Sequence, residues 1–380
     1  MRVTRVELTP FALPRKEPIV SRYGAVTEHE HLLVAVTIDG EFTGYGEASP
    51  QPWNPGGETM TSVLCAVRDI FAVQVVDTDP GRLDELLHRV RLTAANPAAR
   101  SAVELAVLDA YGRALGEPCY RLLGGFAQRV PCAALLSWGE PAAVAAEAVQ
   151  ARERFGVNAF KLKVGVDLAR DAAITNHVRS AVGDTALLYA DANRAYSPAQ
   201  ARSFIERTRD AELAWVEEPC DAGGRPSRTR FVANCPIPVL GDETCADPES
   251  AFGALLAGAS TMISIKPART AARGSSRIRD VAEAFGAEVL VGSSGEGAAG
   301  TFATAAVAAS GAWTVRHPAE LLMFDDMAED IVVDPPQVSD GELTVPDGPG
   351  FGFCIDPDRL AALRTGESIV VDGTGRDRVR

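Results

Sequence analysis

From Val130 onward, short apolar runs alternate with longer stretches of helical spacing, a pattern absent from the first third of the chain. Residues 1–50 read as antiparallel strands: 2–13, then 31–38 up to an Asp39-Gly40 turn, then a return through 44–49. Segment 14–30 is polar and turn-rich, and 50–57 is dense in proline and glycine. Both read as irregular loops, serving either as linkers or as covers of a site. Residues 58–116 read as helices, with Ala99, Val103, Ala106, Val107, Ala110, Tyr111 and Ala114 at helical spacing and Gly116 and Pro118 ending the run. Strands followed by helices predict an α+β unit over 1–125, closing at Leu122-Leu-Gly-Gly125.

In the second part, apolar runs end at Ser137, Val164, Asp191, Glu217, Asp242, Lys266 and Gly292, with a weaker eighth run at 312–315. Helical stretches lie between them, for example 142–155, 199–209, 248–257 and 277–285. An interval of about two dozen residues from one strand end to the next is that of a βα unit, and eight such units close a barrel. An open doubly wound sheet is the alternative, but the count and the regular interval favour closure. The predicted class is α/β: a (β/α)8-type TIM barrel over 126–325 with an N-terminal α+β capping domain. The segment 326–380, containing Gly341-Glu-Leu-Thr-Val345 and Gly348-Pro-Gly-Phe-Gly352, is predicted to return to that cap.

The strand ends carry the charge. In Asn158-Ala-Phe-Lys-Leu-Lys-Val-Gly165, Phe160, Leu162 and Val164 share one face while Lys161 and Lys163 share the other. Alone this could be an exposed edge strand, but the following runs end in Asp191 with Asn193, Glu217 with Glu218, Asp242 with Glu243, and Lys266. Active sites of such barrels lie at the C-terminal strand ends. Three successive strands that each bring a carboxylate to one rim would repel one another. A hard divalent cation resolves this, with lysines flanking it from both sides to move a proton next to a substrate carboxylate. The competing reading, ion pairs inside the lumen that hold the barrel together, is a weak route to stability.

Composition narrows the partners. The net charge of −14 on 380 residues, with no basic cluster, argues against nucleic acid. The seven scattered cysteines contain no C-x-x-C pair and suit reduced thiols in a cytoplasm. No signal-like leader or membrane-length apolar run is present, so a soluble, cytoplasmic protein is expected. His29, His31, His88, His177 and His317 lack metal-ligand spacing, and His29 and His31 are expected to be structural. The run Asp325, Asp326, Glu329, Asp330 reads as a solvated loop.

Lys161-Leu-Lys163, Asp191-Ala-Asn193, Glu217-Glu218-Pro219, Asp242-Glu243 and Ile265-Lys266, in this order and at barrel spacing, resemble the enolase superfamily in its muconate-lactonizing subgroup. The resemblance covers nearly the whole chain, including Gly44-Tyr-Gly-Glu-Ala-Ser-Pro50 and Gly348-Pro-Gly-Phe-Gly352. It implies that Asp191, Glu217 and Asp242 ligate Mg²⁺, with Mn²⁺ as a substitute. It further implies Lys163 and Lys266 as acid/base groups on opposite substrate faces, with Lys161 holding down the pKa of Lys163 by like charge. Asn193, Glu218 and Glu243 would orient ligands and lysines. Arg269, Glu296, Ser294 and Tyr23 are the residues expected to touch a small carboxylate substrate, although Arg269 reads equally as a surface ion pair. Symmetric homo-oligomers, often octamers, are implied as well.

Within the subgroup, Ile263-Ser-Ile-Lys-Pro-Ala-Arg-Thr270 and His317-Pro-Ala-Glu-Leu-Leu-Met-Phe-Asp-Asp326 look most like muconate cycloisomerases of the actinobacterial, anti-lactonizing type. Dipeptide epimerases resemble it less, because they carry Asp-x-Asp at the eighth strand, where this chain reads Arg316-His-Pro-Ala-Glu320. N-acylamino acid racemases and o-succinylbenzoate synthases share the machinery. A barrel that binds an acid without turnover is the non-enzymatic alternative. After the seventh strand, Gly292-Ser-Ser-Gly-Glu-Gly297 departs from the amide and aspartate of lactonizing relatives, which leaves the substrate open.

Overall fold

The computed structural model describes residues 1–380 except 22, 54–56, 92–94, 222–225, 374–377 and 380. Strands β1 (Val3–Ser21), β2 (Gly24–Ile38) and β3 (Phe42–Ala48) form an antiparallel sheet. Val6, Leu8, Val34 and Val36 project from it into a core shared with Ala99, Ala102, Val103 and Ala106 of the helix Pro97–Leu115. That helix rests directly on the backbone of β3: a Cβ on Gly46 would stand 2.0 Å from Ala102 O, and one on Gly44 2.0 Å from Ala110 N.

Segment 14–30 is not an irregular loop. Pro14 cannot donate to the ladder, and the register shifts between Pro14 and Ile19 before the hairpin resumes with Ile19 opposite Val26. The polar residues there have another role, docking this hairpin arm on the barrel. Arg15 pairs with Asp326 (3.0 Å) and Lys16 with Asp325 (3.5 Å), while Val20 N donates to Ser137 Oγ at 3.0 Å. The acidic run is therefore not a solvated loop, and Asp330 Oδ2 also accepts Ala298 N at 2.8 Å. Of segment 50–57, residues 54–56 lie outside the description.

After β4 (Arg129–Pro131) come seven parallel strands: β5 (Ala134–Leu136), β6 (Ala159–Lys163), β7 (Leu187–Asp191), β8 (Trp215–Glu217), β9 (Val239–Gly241), β10 (Met262–Ile265) and β11 (Glu288–Val291). The eighth position is not 312–315, which is a turn. It is filled by Ala319 and Glu320: Glu320 N donates to Val291 O (2.9 Å) and Ala133 N to Ala319 O (2.8 Å), closing the gap between β11 and β5. Pro318 precedes these residues, and Leu321 N turns back onto Ala319 O, which limits the pairing to this short piece.

Side-chain alternation sorts the barrel into layers. Ala159, Tyr189, Trp215, Leu240, Met262 and Leu290 fill the floor of the lumen. Two residues further along each of the middle strands stand Lys161, Asp191, Glu217 and Asp242. Phe160 and Leu162 pack outward under helices, as do Ile263 and Ile265 against Ile278 and Ala282 of the helix Pro267–Phe285.

The tail contacts both the barrel and the cap. Its strands Val338–Ser339 (β12) and Glu342–Thr344 (β13) join β4 beneath the barrel, while Ile369–Asp372 (β14) pairs with β1, to which Met327 and Arg364 also bridge at Arg15 and Phe11. The glycine-rich turn packs on the capping helix, where Phe351 N donates to Asp109 Oδ1 at 2.6 Å. All seven cysteines are free thiols. Among the described residues no helix is long and apolar enough to cross a membrane.

The contact between cap and barrel contains a titratable group. Glu104 of the capping helix accepts Arg273 N at 2.8 Å, and burial pushes its carboxyl up to about 7. Between the ordinary value near 4.5 and 7, the native chain holds a proton that the unfolded chain has released, so stability falls as pH rises through that window and is level above it. Glu104→Gln is expected to match the parent near pH 4.5 and to exceed it by on the order of 1–3 kcal/mol above pH 7. Denaturant melts at the two pH values check this; an equal difference at both would refute it.

Candidate active site

The C-terminal rim of the barrel and the capping hairpin enclose a cavity of about 550 Å³. Lys161, Lys163, Lys266, Asp242, Glu243, Asn193 and Glu320 form its floor, and Ile19, Tyr23, Val26, His29, Gln51 and Trp53 come from the cap. The two parts are tied beside the cavity. Glu47 of β3 accepts Gly297 N (2.7 Å) and Gly300 N (2.8 Å) at the start of the barrel helix Ala298–Ala308 and pairs with His31 at 2.7 Å. Gln51 Nε2 and Ser49 Oγ donate to Ser294 O at 2.6 and 3.0 Å.

The structure brings the sequence-predicted lysines and carboxylates together. Lys161 Nζ stands 3.1 Å from Asp191 Oδ2, 2.7 Å from Glu217 Oε2 and 2.8 Å from Glu320 Oε1. Lys163 Nζ donates to Asp191 Oδ2 (2.7 Å) and Asn193 Oδ1 (3.1 Å). Across the rim, Lys266 Nζ lies 2.6 Å from Asp242 Oδ2 and Arg269 Nη2 lies 2.9 Å from Asp242 Oδ1. Glu218 turns away from the cavity through a left-handed backbone (φ 38°) and accepts Asp242 N and Thr244 N, both at 2.8 Å. Asn193, also left-handed (φ 42°), bridges Lys163 and Glu243, donating to Glu243 Oε1 at 3.1 Å. Such backbone is costly for these residues and is held by the surrounding bonds, which fix the rim before substrate arrives.

Charge is unevenly compensated. Burial alone would raise the Asp191 carboxyl, but Lys161 and Lys163 outweigh it and hold it at about 2. Lys266 and Arg269 likewise keep Asp242 well below the usual range against its burial. Burial and the Asp191 charge instead push Glu217 well above it, and burial with Asp242 raises Glu243 to about 7. Burial works against the Lys161 charge, yet Asp191, Glu217 and Glu320 more than restore it.

The donor set fits a hard divalent cation. Three carboxylates stand at the ends of neighbouring strands, and Glu217 Oε1 receives no hydrogen bond among the described residues although it is fully buried. As placed, Asp191 and Asp242 lean onto their lysines. Among the described residues no three acidic, histidine or cysteine side chains gather into a finished metal cage.

Two expectations about substrate contacts are corrected. Glu296 is not a rim acid: Gly295 (φ +79°) turns the chain so that Glu296 points beneath the loop. There it accepts Ser294 N (2.6 Å), Ser293 Oγ (2.8 Å) and Thr304 Oγ1 (3.0 Å). Arg269 is not a surface ion pair: it lines the cavity, and its Nη2 pairs with Asp242 while its Nε has no partner among the described residues. Tyr23 and Ser294 do line the cavity.

Sequence reasoning missed Glu320, which sits on a strand too short to show a period, and it set His29 aside as structural. His29 lines the cavity, and burial beside His31 and Arg15 pulls it down to about 3, so its imidazole is neutral.

The chain matches "Mandelate racemase / muconate lactonizing enzyme, N-terminal domain" over residues 4–124 and "Enolase C-terminal domain-like" over 143–359. It is 32% identical over 356 residues to muconate cycloisomerase 1-1 of Acinetobacter lwoffii, with 92% of each chain covered. It is 28% identical over 360 residues to the L-Ala-D/L-Glu epimerase of Bacillus subtilis, covering 93% of this chain and 97% of that one. Its fold is similar to the muconate lactonizing enzyme of Mycobacterium smegmatis complexed with muconolactone (TM-score 0.94, 35% identity, 96% of this chain and 100% of that one). With a barrel rim of opposed lysines around three carboxylates, a matching cap and these relatives, the chain belongs to the mandelate racemase/muconate lactonizing enzyme family of the enolase superfamily and is an isomerase of that family.

Proposed function

We propose that the protein is a muconate cycloisomerase, interconverting cis,cis-muconate and muconolactone. The observation that carries this reading is the state of Glu320 at the eighth strand. Its oxygens accept Lys161 Nζ (2.8 Å), Tyr189 Oη (3.0 Å) and Ser293 N (3.2 Å), so the eighth strand has no uncommitted acid pair for a substrate ammonium group. The similarity to lactonizing relatives in sequence and in fold supports the same choice.

Asp191, Glu217 and Asp242 would hold a divalent cation, Mg²⁺ or Mn²⁺, which when bound supplies Lewis-acid charge to one substrate carboxylate. The other carboxylate adds through oxygen to the conjugated diene, forming one C–O bond at the expense of one C=C bond. The electron pair moves toward the first carboxylate. Lys163, fixed by Asp191 and Asn193, then gives its proton to the carbon next to that carboxylate, completing the lactone. Lys266 stands opposite and offers positive charge to the oxygen side. In reverse, Lys163 is the base.

One observation favours a second reading. Lactonization requires a single proton carrier, whereas this rim holds two on opposite sides, as epimerization of a dipeptide or racemization of an N-acylamino acid requires. NMR of purified enzyme with Mg²⁺ in D₂O, run on cis,cis-muconate beside dipeptides, N-acylamino acids and the succinylbenzoate precursor, separates the readings. Lactone from muconate is the expected result; α-deuterium in an amino-acid derivative without lactone would overturn it.

A further inference from the structure

Among the described residues, five cationic side chains line the cavity: Lys161, Lys163, Lys266, Arg269 and Arg100. Four of them stand on the barrel side, and each is paired with a carboxylate at the rim. Arg100 differs. It belongs to the first turn of the capping helix Pro97–Leu115, is half-buried, and forms no ion pair among the described residues. Among the described residues, the acids that feel its charge form no ion pair with it: Glu58 accepts Ala98 N through Oε2 at 2.6 Å while its Oε1 receives no hydrogen bond, and Glu104 Oε1 accepts Arg273 N at 2.8 Å. Because Glu58 already takes the helix N–H at Ala98, an anion reaching this wall meets the Arg100 side chain rather than the bare helix terminus.

A guanidinium that loses water as a ligand enters, with no counter-ion of its own, is uncompensated unless the ligand supplies the negative charge. The lysines occupy the barrel wall and Arg100 the cap wall, so a ligand held by both spans the cavity. Arg269, the expected contact for a second carboxylate, stands on the barrel side with its Nη2 2.9 Å from Asp242 Oδ1, beside the lysines rather than across the cavity from them. We propose that Arg100 is the specificity residue that binds the substrate carboxylate remote from the catalytic lysines. This assignment rests on the proposed function in taking the substrate to be a dicarboxylate. It also explains discrimination: an ammonium end is repelled by Arg100, and a neutral end leaves its charge unmet.

The test needs no turnover. Binding of adipate, a saturated six-carbon dicarboxylate, is compared with binding of hexanoate, which lacks the second carboxylate, by calorimetry on the full chain with Mg²⁺. The parent is expected to prefer adipate by roughly ten- to a hundredfold. In Arg100→Gln the two affinities should converge, and Arg100→Lys, which keeps the charge but not the planar fork, should recover part of the ratio. Melting curves of both variants establish that they are folded, and Arg100→Lys carries the test if the glutamine variant is not. A parent that does not distinguish the two acids, or an Arg100→Gln protein that keeps the full ratio, would overturn the assignment. An Arg100-dependent preference for adipate in a protein that forms no lactone supports Arg100 as the anion contact and overturns the proposed function alone.

Discussion

Lys163→Ala is expected to lose turnover by at least about two to four orders of magnitude, the usual worth of a positioned acid/base group. The effect should fall on kcat, because the role proposed for Lys163 is delivery of a proton to the reacting carbon rather than holding the substrate in place. The reason is geometric. Asp191 and Asn193 hold the Nζ at 2.7 and 3.1 Å, which fixes the direction from which a proton arrives. No neighbour replaces it. Lys161 is clamped between Asp191, Glu217 and Glu320 on the floor, and Lys266 stands across the rim on Asp242. Steady-state kinetics on muconate with Lys163→Ala, beside a melting curve to show that the barrel is folded, is the check. A variant that retains most of the parent kcat would remove Lys163 from the chemistry.

The second large effect concerns Glu217. Among the described residues its one ion-pair partner is Lys161, which it shares with Asp191 and Glu320, while burial and Asp191 press it toward the neutral form. A bound cation relieves that imbalance. Chelation of divalent ions should therefore abolish activity reversibly. Glu217→Gln, which keeps the shape and removes the charge, should lower activity by roughly two to three orders of magnitude. A second measurement distinguishes loss of the ion from loss of fold: Mn²⁺ titration followed by electron spin resonance should show at least about tenfold weaker binding in the variant. Full activity after exhaustive chelation would contradict the assignment of Asp191, Glu217 and Asp242.

Much of this site was legible in the sequence because a parallel barrel puts strand ends on one rim. Charged residues recurring at those ends, from Lys161 to Lys266, point to the proposed chemistry without any contact being known. The legible part stopped where local pattern carries no tertiary information. Ala319 and Glu320 are too few to display strand alternation, so the apolar residues at 312–315 drew the eighth strand to the wrong place and Glu320 was passed over. Glu296 was assigned to the rim by adjacency alone; the positive φ of Gly295, which turns it inward, is not written in the side-chain pattern. The polar stretch 14–30 looked like a loop because its charges serve contacts with Asp325 and Asp326, more than three hundred positions away. Arg100 shows the same difficulty: along the helix it is one polar position among many, and only the packing of cap on barrel brings it to the substrate cavity.

Conversion of cis,cis-muconate in D₂O with Mg²⁺, followed by NMR of the product from the parent and from Lys163→Ala, tests lactonization and the role of Lys163 together. The parent is expected to give a lactone carrying one deuterium at the carbon next to its free carboxylate, and the variant no product on the same timescale. Lactone formed at the parent rate by Lys163→Ala, or lactone from the parent without deuterium at that carbon, would contradict that role.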